Sequence, residues 1–111
     1  SRPPVVILGI SRDKDLDGML AALAPLAPRL IATASHNPRA ADPERIVALA
    51  AARGIVAERA EDIVAALAMA RAVAALDDLV LVTGSLYVVA EAREALGLAE
   101  TPAFERALLY G

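Results

Sequence analysis

A short polar segment near the start of the chain holds the residue types best suited to bind an anion. Residues 9–15 read Gly-Ile-Ser-Arg-Asp-Lys-Asp, so four of seven are charged. Lys14 is the only lysine in a chain whose other basic residues are arginines, and it stands between Asp13 and Asp15. We expect these carboxylates to hold the ammonium so that it can pair with a carboxylate or phosphate. The simpler alternative is a solvated loop whose aspartates cap the next helix.

Two further polar segments could contribute to the same chemistry. Residues 33–37 read Thr-Ala-Ser-His-Asn, and residues 83–87 read Thr-Gly-Ser-Leu-Tyr. If a helix begins after Ser85, its hydroxyl and the first backbone N–H groups could bind an anion, although an ordinary serine cap is an equally simple explanation. We expect His36 to be an exposed loop histidine without a special role.

The elements that position these segments follow from hydrophobic spacing. Continuous aliphatic runs are typical of buried strands, and apolar residues at i, i+3, i+4 and i+7 are typical of helices. Strands are predicted at 5–8, 29–33, 55–58 and 79–83, and helices at 16–23, 43–53, 61–75 and 86–96. This alternation predicts an α/β fold, namely a three-layer Rossmann-like, mostly parallel sheet with helices on both faces. The two most apolar strands, 5–8 and 79–83, are expected at its centre.

The predicted topology brings the three polar segments to one place. Each of them follows a predicted strand, and the carboxyl ends of parallel strands lie at the same edge of a sheet. Ligands of open parallel sheets bind beyond this edge. We therefore expect one site there. A turn at Asp77-Asp78 and a further short helix over 103–110 complete the prediction.

Composition and charge exclude several other functions. The 111 residues suffice for one domain, and a net charge of −3 with only three aromatic residues argues against nucleic-acid binding. With no cysteine and a single histidine, an ordinary catalytic zinc site cannot form. The longest uncharged run considered, 19–28, holds two prolines and is too short to span a membrane. Because no signal peptide or triphosphate-binding glycine motif is recognisable, we expect a cytoplasmic chain that holds no metal or nucleotide by itself.

Taken together, the segments resemble a known family. The chain is similar to the C-terminal domain of folylpolyglutamate synthase and its bifunctional relative dihydrofolate synthase, of the Mur ligase family. The resemblance covers roughly residues 4–96 and rests on VVILGISRDKDLDGMLAALAPLAPRLIAT, NPRAADPERI and DDLVLVTGSLYVVAEAR. Its specific marks are a D-[KR]-D loop after the first strand, a P-R-A turn, and T-G-S-[LF]-Y at the end of a later strand.

The resemblance implies an ATP-dependent ligase of folate metabolism. Such enzymes convert the carboxyl of a folate's glutamate tail, or of dihydropteroate, to an acyl phosphate that the amino group of L-glutamate attacks. A central P-loop domain, absent from this chain, holds ATP and magnesium, and the C-terminal domain closes over it. Lys14 and Ser85 match the family's basic and serine positions, which implies that both bind L-glutamate. Asp13 and Asp15 then form the supporting loop, and no catalytic residue is assigned.

The chain departs from the family in one motif. The family's D-G-A-H-N-P lies upstream of the first strand and is missing here. His36-Asn37-Pro38 imitates it, but these residues follow the second strand, so no ATP contact is assigned to His36. Residues 1–111 are therefore expected to be a single Mur ligase C-terminal domain, the glutamate ligase domain, and to be inactive alone. Whether its first strand and helix are included stays open.

Three alternatives stay open to different degrees. The chain could belong to another Mur-type amino-acid ligase, or it could be a non-catalytic Rossmann-like binding or interaction module. A response-regulator receiver domain has similar length and alternation, but it needs an aspartate at a middle strand end. Thr33 and Glu58 occupy the corresponding positions here. The choice between dihydrofolate synthase and folylpolyglutamate synthase activity is not decided by these residues.

Overall fold

Strands and helices alternate along the chain in the predicted order. The computed structural model describes residues 3–74 and 79–97, so the predicted turn at Asp77-Asp78 and the predicted helix over 103–110 lie outside the described residues. The described elements are β1 (Val5–Leu8), α1 (Leu16–Leu23), β2 (Arg29–Ala32), α2 (Pro43–Ala52), β3 (Ala57–Arg59), α3 (Ile63–Val73), β4 (Val80–Thr83) and α4 (Leu86–Leu96). A short 3-10 turn, Ala24–Leu26, follows α1. No helix within the described ranges is long and apolar enough to cross a membrane.

Each helix begins at a polar residue whose side chain satisfies a backbone N–H of the first turn. These N–H groups have no partner inside the helix, so a side-chain oxygen at the cap stabilises the start. The cap and donor pairs are Asp15 with Gly18, Asp42 with Glu44, Asp62 with Ala65, and Ser85 with Val88. The simpler alternative, in which these polar residues cap the next helix, is therefore confirmed for Asp15 and for Ser85.

The four strands form one parallel sheet in the order β3-β2-β1-β4. Every residue of β1 is buried, because its side chains alternate between two apolar cores. Val5 and Ile7 pack with residues of α3 and α4 on one face. Val6 and Leu8 pack with residues of α1 and α2 on the other. The predicted three-layer α/β fold is confirmed.

The predicted central position of β4 is wrong for the described sheet. β1 lies between β2 and β4, whereas β4 pairs only with β1 and forms the edge of the four described strands. Accordingly Val80 and Leu81 are only half-buried, while Val82 is 2% exposed. The apolar character of β4 comes from its contacts with the helices and β1, and it does not require a strand on each side.

Candidate functional site

The order of the strands creates a crevice beside β1. The chain passes from β1 to β2 through α1 on one face of the sheet, and it reaches β4 on the other side of β1 through α3 on the opposite face. The direction of strand addition therefore reverses between β1 and β4. In open parallel sheets, ligands bind in the crevice at the carboxyl ends of two such strands. Residues 9–15 and Ser85 follow these two strands directly.

The ends of β1 and β4 approach each other so closely that there is no room for a side chain at Gly9 or Gly84. The Gly9 N–H donates to the carbonyl oxygen of Thr83 at 3.3 Å. A Cβ atom on Gly84 would collide with the Gly9 carbonyl oxygen, and Gly84 has a φ of +122° that suits only glycine. A Cβ atom on Gly9 would lie 2.6 Å from Cγ2 of Val88 in α4. These two glycines therefore allow the ends of β1 and β4 and the start of α4 to pack closely at the base of the crevice.

In the loop after β1, the two aspartates beside Lys14 have partners other than the expected one. Asp13 pairs with Arg39, with 3.1 Å between Oδ2 and Nη2, and Asp15 accepts the Gly18 N–H at 2.9 Å as the cap of α1. The expectation that both aspartates hold Lys14 is therefore wrong, because each carboxylate binds another partner and neither forms an ion pair with Lys14. Lys14 is exposed and forms no ion pair within the described part of the chain. Its ammonium is left available to a ligand.

Ser85 stands at the amino end of α4 beside the same crevice. Its Oγ accepts the backbone N–H of Val88 at 3.2 Å, and the residue is half-buried. A serine hydroxyl carries one proton to donate as well as two acceptor lone pairs. The capping contact uses one lone pair, so the hydroxyl can still donate to a carboxylate in the crevice.

The loop between β2 and α2, residues 33–42, is bound to the loop after β1. Its backbone forms a short antiparallel pairing with the first loop, and an arginine side chain adds a further contact. The contacts are the Ser11–Ala40 bridge, Arg12 N–H to Arg39 O at 2.8 Å, Ala41 N–H to Ile10 O at 2.8 Å, and Arg12 Nη1 to Pro38 O at 3.3 Å. Arg12 and Arg39 thus join Lys14 on this side of the crevice. Sequence reasoning named neither arginine as a site residue, although the P-R-A turn contains Arg39.

His36 is exposed as expected, but it has a partner that the sequence analysis missed. The Glu91 carboxylate in α4 accepts the His36 backbone N–H at 2.8 Å, and its other oxygen lies 3.0 Å from Nδ1 of the ring. The imidazole is 80% exposed, and the Glu91 side chain is 25% exposed. No local pattern could have found a contact between residues 55 positions apart. The loop between β2 and α2 is therefore bound to α4 as well.

A second ion pair lies between α1 and the end of α2. Arg53 Nε is 3.1 Å from Oδ1 of Asp17, and Nη2 is 3.0 Å from Oδ2. The hydrogen bond from this guanidinium, helped by its positive charge, lowers the pKa of the Asp17 carboxyl below its ordinary value. Because the side chains are accessible to water, the pair contributes little to folding. It joins two helices and no loop of the crevice.

Comparisons with known proteins agree with this architecture. The family described as "Mur ligase, glutamate ligase domain" matches residues 1–86. A probable bifunctional folylpolyglutamate synthase/dihydropteroate synthase of Haloferax volcanii is 39% identical over 104 residues, which are 93% of this chain and 12% of that protein.

Solved structures of similar fold come from bacterial enzymes. Mycobacterium tuberculosis folylpolyglutamate synthase, complexed with ADP and AMPPCP, is 31% identical with a TM-score of 0.77. The match covers 84% of this chain and 23% of that one. Escherichia coli FolC, in complex with DHPP and ADP, is 26% identical with a TM-score of 0.74, over 87% of this chain and 23% of that one. The chain thus spans a minor part of each relative. Because the family match covers most of its residues, the chain belongs to the Mur ligase family as a glutamate ligase domain.

Proposed function

We propose that this domain supplies the L-glutamate half of the active site in an ATP-dependent ligase that adds L-glutamate to folate or dihydropteroate. The full-length enzyme would be a folylpolyglutamate synthase, a dihydrofolate synthase or both. The family assignment and the printed activities of the relatives support this proposal. The observation that carries it is the crevice between β1 and β4, where Lys14 and Ser85 follow adjacent strand ends.

Lys14 and Ser85 would bind one carboxylate of L-glutamate between them. The Lys14 ammonium provides a positive charge that no described carboxylate neutralises. The Ser85 hydroxyl provides a directed donor from the rigid start of α4. A charged hydrogen bond of this kind strengthens when water is excluded, which closure of this domain over a neighbouring domain would achieve. Asp13 and Asp15 would support the loop through Arg39 and α1.

The described residues of this domain form neither a metal cage made of protein side chains alone nor a P-loop. Among residues 3–74 and 79–97 there is no group of three or more histidine, aspartate or glutamate residues that could hold a metal ion. The sequence also lacks the P-loop pattern G-x-x-x-x-G-K-[ST]. In our proposal ATP and magnesium are both held mainly by a central domain elsewhere in the full-length protein. The 111-residue chain alone would not catalyse ligation.

The test is a Lys14→Ala variant of the full-length ligase. Loss of a charge-assisted contact of about 1.5–3 kcal/mol corresponds to a roughly 10- to 150-fold rise in KM for L-glutamate. The KM for ATP should change little, because the contact is made to the amino acid. Lys14→Arg should keep much of the activity. Steady-state kinetics with L-glutamate and ATP varied in turn measures both constants.

Thermal unfolding of the same variants provides the control. Lys14 is exposed and forms no ion pair in the described part of the chain, so its removal should leave the melting temperature nearly unchanged. A lowered melting temperature with an unchanged KM for L-glutamate would mean that Lys14 has only a structural role. A full-length enzyme that ligates another amino acid in preference to L-glutamate would reject the substrate assignment.

A further inference from the structure

Glu91 makes two contacts to one residue of the loop between β2 and α2. One carboxylate oxygen accepts the His36 backbone N–H at 2.8 Å, and the other lies 3.0 Å from the ring nitrogen Nδ1. A carboxylate accepts strong hydrogen bonds from a backbone N–H group, and its two oxygens allow both contacts at once. Glu91 also belongs to α4, the helix that begins at Ser85.

The loop is also fixed at its other end. Ala40 and Ala41 are held by the backbone pairing with the loop after β1, and the Arg39 side chain reaches Asp13 at 3.1 Å. Between the two attachments, Asn37 forms a tight turn, because its carbonyl accepts the Ala40 N–H at 3.0 Å. Its side-chain oxygen accepts the Arg39 N–H at 2.9 Å. The loop therefore has few remaining ways to move while both ends are bound.

Arg39 lies only three positions after His36, the residue that Glu91 binds. Even a fully extended chain of that length spans no more than about 11 Å, and a turn spans less. Because the two hydrogen bonds of the Asn37 turn join this short segment to Arg39 and Ala40, movement of His36 away from α4 would be transmitted to Arg39. Arg39 is the ion-pair partner of Asp13, which is the neighbour of Lys14 in the chain. A continuous set of contacts thus runs from α4 to the lysine loop.

We propose that Glu91 is a positioning residue of the glutamate site. By binding the backbone and ring of His36, it fixes the loop between β2 and α2 against α4, and through Arg39 it fixes the loop that carries Lys14. This inference rests on the proposed function for its kinetic consequence. It assigns the role to the carboxylate of Glu91 and not to the chemistry of the imidazole, because one of the two contacts is made to the backbone.

The first test compares Glu91→Ala with Glu94→Ala in the full-length ligase. Glu94 lies one turn farther along α4 and is exposed, and together with Glu91 and His36 it lines a groove of about 430 Å³. Glu91→Ala should raise KM for L-glutamate roughly 5- to 20-fold, as expected for loss of hydrogen bonds to a partly exposed charge. It should change kcat and the KM for ATP by no more than about twofold. Glu94→Ala should match the wild type.

A double-mutant cycle separates the two contacts. His36→Ala keeps the backbone N–H and should have a smaller effect than Glu91→Ala, and the double variant should be no worse than Glu91→Ala alone. If His36→Ala alone abolishes kcat, the imidazole acts in the reaction and the positioning role is overturned. If Glu91→Ala does not fold, Glu91→Gln retains one acceptor oxygen, and it should lie between the wild type and the alanine variant in a protein that does fold.

Hydrogen–deuterium exchange of the segment 35–41 tests the attachment without any activity measurement. Exchange should rise at least severalfold in Glu91→Ala and stay unchanged in Glu94→Ala. Unchanged exchange and an unchanged KM in Glu91→Ala would overturn the inference, while the Lys14→Ala result would still judge the proposed function. Conversely, if the wild-type enzyme does not use L-glutamate, the proposed function fails, and the exchange result still shows whether Glu91 holds the loop.

Discussion

Replacing Gly84 by alanine should destabilise the fold at the point where the crevice is built. Gly84 has a φ of +122°, which lies outside the conformations that L-residues readily adopt. Its new Cβ would also collide with the Gly9 carbonyl oxygen, a backbone atom that cannot rotate away. The end of β1 or of β4 must therefore move. The hydrogen bond from the Gly9 N–H to the Thr83 carbonyl is the first contact to weaken.

The expected loss in the free energy of unfolding is the sum of the backbone penalty at Gly84 and the cost of the collision with Gly9. Holding a side-chain-bearing residue at such a φ costs about 1–3 kcal/mol. A weakened backbone hydrogen bond adds about 0.5–1.5 kcal/mol. Gly54→Ala is the matched control, because Gly54 has a φ of +75° and its Cβ would meet nothing within 4 Å. That variant keeps only the backbone penalty of about 1–2 kcal/mol, reduced by the lower entropy of its unfolded chain.

Thermal unfolding of the 111-residue chain, followed by circular dichroism, measures the difference. With about 4 °C of melting temperature per kcal/mol at this size, Gly84→Ala should lose about 6–18 °C and Gly54→Ala less than about half of that. Equal losses in the two variants would refute the reasoning, because they would mean that the contact between the ends of β1 and β4 adds nothing to the backbone penalty.

Two further predictions concern the sheet and an ion pair. Val82→Ala should lower the free energy of unfolding by about 1–3 kcal/mol in urea titrations, and Val80→Ala by less, because Val82 is 2% exposed and Val80 is half-buried. In an NMR titration the pKa of Asp17 should lie below its ordinary value and return toward it in Arg53→Gln. A lowered folded-state pKa stabilises the protein above the unfolded pKa of about 3.9, and this contribution is lost as the pH falls through the folded pKa. Equal effects of the two valine variants, or an Asp17 pKa unaffected by Arg53→Gln, would contradict these predictions.

The parts of the fold that depend on neighbouring residues were predictable from the sequence. The start of α1 is one example, since Asp15 caps a helix whose buried residues recur at 16, 20 and 23. Sheet order is different, because it depends on pairing between distant segments such as Val5 and Val80. Hydrophobicity alone predicts that β4 is a central strand. In the described sheet β1 and β2 are the central strands, and β4 lies at the edge beside β1.

The third strand illustrates a smaller error of the same origin. The sequence predicts it at 55–58, whereas β3 is Ala57–Arg59. Ile55 is apolar because it is buried, at 5% exposure, in the turn after α2, where its N–H donates to the Ala50 carbonyl. An apolar residue that packs beneath a helix end has the same sequence signature as the first residue of a strand. Only the three-dimensional contacts distinguish the two.

The geometry around the candidate site was predictable only in part, for the same reason. The loops were located correctly, because each follows a strand of a parallel sheet. The ion pairs of these loops were not predicted correctly, because a carboxylate pairs with the cation nearest to it in space. Asp13 pairs with Arg39, which lies 26 positions away, and it does not pair with the adjacent Lys14. Residues 11–14 form a turn, closed by the Lys14 N–H donating to the Ser11 carbonyl oxygen at 3.0 Å, and within it Asp13 and Lys14 form no ion pair, so neighbouring opposite charges in a sequence do not imply one.

In the proposed function, these pairings explain how a chain of net charge −3 could present a positive charge to the carboxylate of L-glutamate. The carboxylates nearest the crevice already have partners in the structure: Asp13 binds Arg39, Asp15 binds the first turn of α1, and Glu91 binds His36. Each partner reduces the repulsion that the carboxylate would exert on a second anion, whereas Lys14 has no described partner to reduce its attraction. Because exposed charges are screened within about 8–10 Å in physiological salt, this local balance would govern the proposed binding of L-glutamate more than the net charge does.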